Sequence, residues 1–163
     1  MSKLLIISHT EHYKNANGVI VGWGSTVTEI NYLATQFDEI YHLAAATSVE
    51  ESLRDTEKYK RSILTATQNI LQWARVIGAR RVVMASTAAV YGDHIEMPIT
   101  EEFTLNPTNA YGETKLAMEK MMKWADIAHG IKYIALRYFN VAGAHHTGTI
   151  GESHNPETHL IPL

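Results

Sequence analysis

The chain has 163 residues, 45% of them hydrophobic and 19% charged, with a formal net charge of −3. That balance gives no electrostatic footprint for nucleic acid or an acidic membrane surface. There is no cysteine, which excludes disulfides and thiolate chemistry and points to the cytoplasm. No apolar run approaches the ~20 residues a membrane span needs, and the first residues do not read as a signal peptide.

The first element is a strand over Leu4–Ser8, an unbroken apolar run ending in a polar residue. It leads into the hydrophilic stretch from His9 to Asn17 and then into "GVIVGWGS". Two readings of that stretch stand open. It is a plain hairpin followed by a helix cap, or Gly22, Gly24 and Ser25 offer amides to a phosphate at a helix N-terminus. The helix begins near Thr26, which forms a capping-box pattern with Glu29, and runs to about Thr35. A second strand covers Glu39–Ala45. A second helix covers about 50–77, where Ile63, Ala66, Ile70, Leu71, Ala74 and Ile77 follow helical spacing and Gly78 is the stop. The third strand is Arg81–Ser86. A third helix over about 109–129 carries Met118, Met121, Met122, Ala125 and Ala128 on one face and ends at Gly130. The fourth strand is Lys132–Asn140. Strands alternating with helices predict an α/β fold with a parallel sheet of about four strands and helices on both faces, in one domain over 1–163. Ligands of such sheets bind at the carboxyl ends of the strands.

Those ends carry the unusual words. The third strand ends in "MASTAAVYGD", which puts Ser86 and Thr87 at its carboxyl edge. Further on comes "NPTNAYGETK", with Tyr111 and Lys115 four apart and therefore on one helix face. An ammonium beside a phenol favours the phenolate, so Lys115 is expected to lower the Tyr111 pKa from its usual ~10. Tyr111 then becomes an acid/base, and Thr87 or Ser86 holds a substrate oxygen beside it. A lone Tyr-x-x-x-Lys is common in helices; its company here makes the pattern specific. Elsewhere, His9 and His12 flank Glu11 without converging ligands, and His145, His146, His154 and His159 fall in C-terminal loops; neither group is assigned a metal. The helix methionines are core or interface.

The words "HLAAATSVEES", "VVMASTAAVYGD", "PITEE", "NPTNAYGETKLAMEKM", "ALRYFNVAGAH" and "GTIGESHNPETHLIP" stand in order over residues ~39–163. This part resembles the extended short-chain dehydrogenase/reductase family, nearest to its UDP-glucose 4-epimerase-like nucleotide-sugar epimerases and dehydratases. The resemblance implies a Rossmann-like fold, NAD as cofactor and a nucleotide-sugar substrate. It implies Tyr111 as the catalytic acid/base, Lys115 as its partner and a ligand of the nicotinamide ribose, and Thr87, with Ser86 beside it, as the sugar-hydroxyl contact. It implies Ala44, Ala45, Tyr138 and Phe139 at the cofactor and Asn140, His159 and Leu160 at the substrate. His159 stands where the family usually has Asn, and Thr47 where related epimerases often have Lys. The helices of 50–77 and 109–129, with Trp73 and Trp124, are implied to pair with a second copy as a homodimer.

The resemblance also implies parts this sequence departs from. The family's Gly-x-x-Gly-x-x-Gly loop is missing from residues 1–40, and the family continues well beyond "LIP". Residues 1–42, through "HY", "GVIVGWGSTVTEINYLA" and "FDEIYHLA", instead resemble the start of a GT-B glycosyltransferase. A junction near 38–46 follows from the two resemblances, as in a chimera or fragment. Three functions stand: a partial NAD-dependent epimerase, a glycosyltransferase-type nucleotide-sugar binder, and a catalytically silent Rossmann-like scaffold.

Overall fold

The computed structural model describes residues 39–43, 45–94, 96–149 and 151, together with the backbone of three short segments before them. Those segments are β1 (Leu4–Ile7), β2 (Tyr13–Lys14) and β3 (Ile20–Val21). β2 and β3 pair antiparallel, Tyr13 opposite Val21, so the hairpin reading holds for the stretch after β1. Gly22, Gly24, Ser25, the helix expected over 26–35, and His9 and His12 lie outside the described residues.

β1 joins β4 (Glu39–His42), β5 (Arg81–Thr87) and β6 (Lys132–Tyr138) in one sheet of order β1-β4-β5-β6, every pair parallel. The four strands are those the sequence indicated, each trimmed or extended by one to three residues. Successive strands sit side by side, so right-handed crossovers carry their helices to one face. The described helices do share one face: α4 (Ala110–His129) packs against α1 (Val49–Arg54), α3 (Ala66–Ile77), β5 and β6. Helices on both faces were expected, and the helix placed over 26–35 lies outside the described residues. On the other face of β6, Ile134, Leu136 and Tyr138 are exposed.

The helix expected over 50–77 is interrupted. α1 ends at Asp55, whose backbone leaves the helical region (φ −133°, ψ 73°). Asp55 instead caps α2 (Thr56–Tyr59), its carboxylate accepting from the Lys58 amide at 2.9 Å. A short acidic side chain competes for backbone donors and so suits a cap better than a helix interior. Ser48 caps α1 in the same way, with Glu51 at the capping-box position. From α2 the chain continues through a wider π-helical stretch, Lys60–Thr65, into α3. Gly78 and Gly130 end α3 and α4 in the left-handed conformation, where the expected stops stood. The core lies between the helices and the sheet. Ile40, Val82 and Met84 meet Ile63, Ile70, Met118 and Met122, so the helix methionines belong to the core.

Candidate functional site

The carboxyl ends of β4, β5 and β6 open onto a cleft of about 920 Å³. β5 reaches it as a run of buried Val and Met, and ends at Thr87. There the backbone is still extended, and the Thr87 hydroxyl oxygen accepts from the Ala89 amide at 3.2 Å, starting a single 3-10 turn over Ala88–Val90. That bond uses an acceptor site of Thr87 and leaves its O–H proton to be donated.

α4 is aimed at the same point. Asn109 caps it, its side-chain oxygen accepting from the Gly112 amide at 2.8 Å. The Tyr111 amide donates to the Ser52 hydroxyl at 3.2 Å, tying the start of α4 to α1. Gly112 lies against the turn after β5, and a Cβ there would come within 2.6 Å of the Ala89 carbonyl oxygen. The glycine of "YGETK" is therefore a close-approach residue that lets Tyr111 meet the strand end. The Tyr111 ring packs edge-on against Tyr59, centroids 6.1 Å apart.

Lys115 is buried one turn further on. Its Nζ donates to the Ala85 carbonyl at 2.6 Å and stands 5.9 Å from the Tyr111 ring centroid. Burial pulls its pKa down to about 8, with the Glu119 carboxylate acting in the opposite direction. Burial also pushes the Tyr111 phenol up, partly opposed by its hydrogen bond with the Thr87 side chain. This corrects the expectation that Lys115 lowers the Tyr111 pKa. The ammonium is engaged with a carbonyl, and removal from water, which disfavours both charged forms, is the larger effect.

Ser86 and Thr87 are not equivalent. The Ser86 hydroxyl borders the cleft but donates to Glu119 Oε1 at 2.5 Å, whereas the Thr87 side chain pairs with Tyr111. The Arg137 guanidinium grips Glu119 through Nε at 3.0 Å and Nη2 at 2.7 Å, and reaches the Tyr91 hydroxyl at 2.9 Å. Those partners hold its pKa above the ordinary arginine value. His42, at the end of β4, is buried with Nε2 3.2 Å from the Thr67 hydroxyl and Nδ1 without a partner. Burial first, and the Lys115 charge second, lower its pKa to about 4, so it is neutral near pH 7.

The sequence reading missed Glu119, Tyr91, His42 and Ser52. For Glu119 a signal existed: it follows Lys115 by the same four residues that separate Lys115 from Tyr111, so all three share one stripe. The others are brought in from separate elements and carry no local signature.

The structure brings Ala45, Ser86, Thr87, Tyr111, Lys115, Tyr138, Phe139 and Asn140 to this one cleft, whose walls also include Leu43, Val49 and the loop 141–145. Phe139 stacks on Tyr91, centroids 6.4 Å apart. Ala44, His154, His159 and Leu160 lie outside the described residues. Among the described residues no group of three or more His, Asp or Glu side chains could hold a metal ion, and no helix is long and apolar enough to cross a membrane. A phenol, a hydroxyl and an ammonium meeting beside apolar and aromatic walls can move a proton at a bound hydroxyl and cover a flat ring.

The profile of the NAD dependent epimerase/dehydratase family matches residues 4–163, which takes in most of the segment that resembles a glycosyltransferase start. UDP-glucose 4-epimerase of Lactobacillus helveticus is 51% identical over 127 residues, 78% of this chain and 38% of that protein. The enzyme of the same name from Lacticaseibacillus casei is 48% identical over 128 residues, 78% of this chain and 39% of its own length. The chain thus spans about two fifths of these relatives. The crystal structure of UDP-glucose 4-epimerase from Brucella ovis in complex with NAD superposes with a TM-score of 0.80 at 33% identity, covering 96% of this chain and 50% of that one. The chain belongs to the NAD dependent epimerase/dehydratase family.

Proposed function

We propose that this chain carries the acid/base half of an NAD-dependent isomerase that acts on a nucleotide sugar, of the UDP-glucose 4-epimerase type. The observation that carries the reading is the meeting of Thr87, Tyr111 and Lys115 at the end of β5, in a cleft of about 920 Å³. The names of the relatives support the sugar class.

The cleft fits the nicotinamide end of the cofactor. Lys115 has three N–H donors and spends one on Ala85, leaving two for ribose hydroxyls. Ala45, Tyr138 and Phe139 supply apolar surface for the ring. When bound, NAD supplies the hydride acceptor and donor. The chain's own residues handle the proton and the geometry. The Thr87 hydroxyl, paired with the Tyr111 phenol, sets a sugar oxygen beside both. Tyr111 exchanges a proton with that hydroxyl, and Lys115, still mainly the ammonium at pH 7, offers its remaining N–H donors beside it. Asn140, also in the lining of the cleft, contacts the sugar nucleotide.

Calorimetric titration of the chain with NAD tests the reading, with Tyr111→Phe alongside. The expected result is micromolar binding by both, with turnover of the variant lower by roughly 10²–10⁴-fold. No binding at millimolar NAD overturns it and leaves the silent scaffold.

The homodimer belongs to the same proposal. Val76 on α3 and Trp124 and Ile127 on α4 are large, apolar and exposed on the two helices expected to pair. Light scattering should give twice the 18.2 kDa chain mass, falling to one chain in Trp124→Glu. A monomeric parent removes the idea.

A further inference from the structure

Two successive turns of α4 grip two successive residues of β5. Lys115 Nζ donates to the Ala85 carbonyl at 2.6 Å, and Glu119 Oε1 accepts from the Ser86 hydroxyl at 2.5 Å. The next residue is Thr87. Glu119 does not move freely there. Arg137, the cross-strand neighbour of Ser86, closes on both of its oxygens at 3.0 and 2.7 Å. The third arm of the guanidinium is held by the Tyr91 hydroxyl. The carboxylate accepts from the Ser86 hydroxyl and from two guanidinium nitrogens, which hold it in one place.

Lys115 has the opposite problem. It is 2% exposed, and its one hydrogen-bond acceptor among the described residues is a neutral carbonyl. An amine so placed loses its proton readily unless a negative charge stands near. The charged and titratable groups around it come from three elements: Tyr111 and Glu119 on α4, His42 on β4, and Arg137 on β6 through its pair with Glu119. Tyr111 and His42 are neutral near pH 7. Arg137 is spent on the carboxylate. Among the described residues, Glu119 is the one left to favour the ammonium.

We propose that Glu119, fixed by Arg137 and Ser86 one turn beyond Lys115, is a positioning residue that keeps Lys115 charged beside Tyr111. It touches none of the reacting groups and acts through Lys115. The inference rests on the reading of Lys115 as the ammonium partner of Tyr111. The direction in which Glu119 moves the Lys115 pKa agrees with it.

The test titrates Lys115 itself, so it does not depend on cofactor or turnover. In the full chain, with ¹³C-labelled lysine, the Lys115 Cε signal is identified by its loss in Lys115→Met and followed over roughly pH 6 to 11. Glu119→Gln keeps the shape and an acceptor for Ser86 but removes the charge. Its Lys115 midpoint is expected to fall by roughly one unit or more, and Glu119→Asp to recover most of the difference. A purely structural role would change stability and leave the midpoint in place. A Glu119→Gln midpoint within about 0.3 unit of the parent overturns the proposal. If Glu119→Gln leaves Arg137 unpaired and fails to fold, Glu119→Gln/Arg137→Met removes both charges together. A smaller fall in the same direction is expected there, because a cation that disfavours the ammonium leaves with the carboxylate, and an unmoved midpoint overturns the proposal. Failure to bind NAD with the midpoint shift intact would sink the functional reading and leave this one standing.

Discussion

Helix α4 buries two stripes of side chains, and they are opposite in chemistry. Met118, Met122 and Ala125 form one, at 0%, 0% and 8% exposure. Tyr111, Lys115 and Glu119 form the other, at 7%, 2% and 7%. The degree of burial is the same, but its energetic sign differs. The methionine stripe meets Ile63, Ile70 and Val82 and stabilises the fold by removing apolar area from water. The polar stripe takes an amine, a phenol and a carboxylate out of water and recovers part of that cost through Ala85, Ser86 and Arg137. Lys115 shows the shortfall: its pKa sits at about 8, below the ordinary 10.5. A helix built only for stability would repeat the first stripe. The second is kept for what it does at the end of β5.

Two substitutions sharpen the contrast. The larger effect belongs to the apolar stripe. Met118→Ala should lower unfolding stability in urea by about 2–5 kcal/mol, because the surrounding core only partly closes on the cavity. A loss under about 1 kcal/mol would mean that the stripe is loosely packed.

The smaller effect has the opposite sign. Lys115→Met should raise stability at pH 7 by about 1–3 kcal/mol, since the buried cost of the ammonium disappears, while the proposed turnover is lost. The pH dependence follows from the depressed pKa. The unfolded chain holds the Lys115 proton up to about 10.5 and the folded chain only up to about 8. The destabilisation by Lys115 is therefore fully present below pH 8 and fades as pH rises toward 10.5. The gap between parent and variant should close over that window. A variant that is less stable than the parent at every pH would break the contrast between the stripes.

Much of this site was legible beforehand, because its signals are local. The Tyr111–Lys115 spacing, the strand ending in Ser86 and Thr87, and the glycine stop of α4 all rest on residues a few positions apart. The break at Asp55 was less legible, since helical spacing runs through it and only the capping geometry shows the interruption. Glu119 was visible in the spacing, but its importance was not, because one more carboxylate on a helix is ordinarily a solvated one.

By itself the sequence determined the α/β class, the four parallel strands, the extent of α4 and the placing of Ser86, Thr87, Tyr111 and Lys115 near the carboxyl ends of the strands. Periodicity, caps and chain order suffice for these. Only the tertiary structure decided that Ser86 pairs with Glu119 while Thr87 pairs with Tyr111, where Arg137 finds its partner, and that burial drives the Tyr111 pKa up. Each depends on what packs around a side chain from other elements. Solvent exclusion and pairing across strands have no signature in the spacing of residues along the chain.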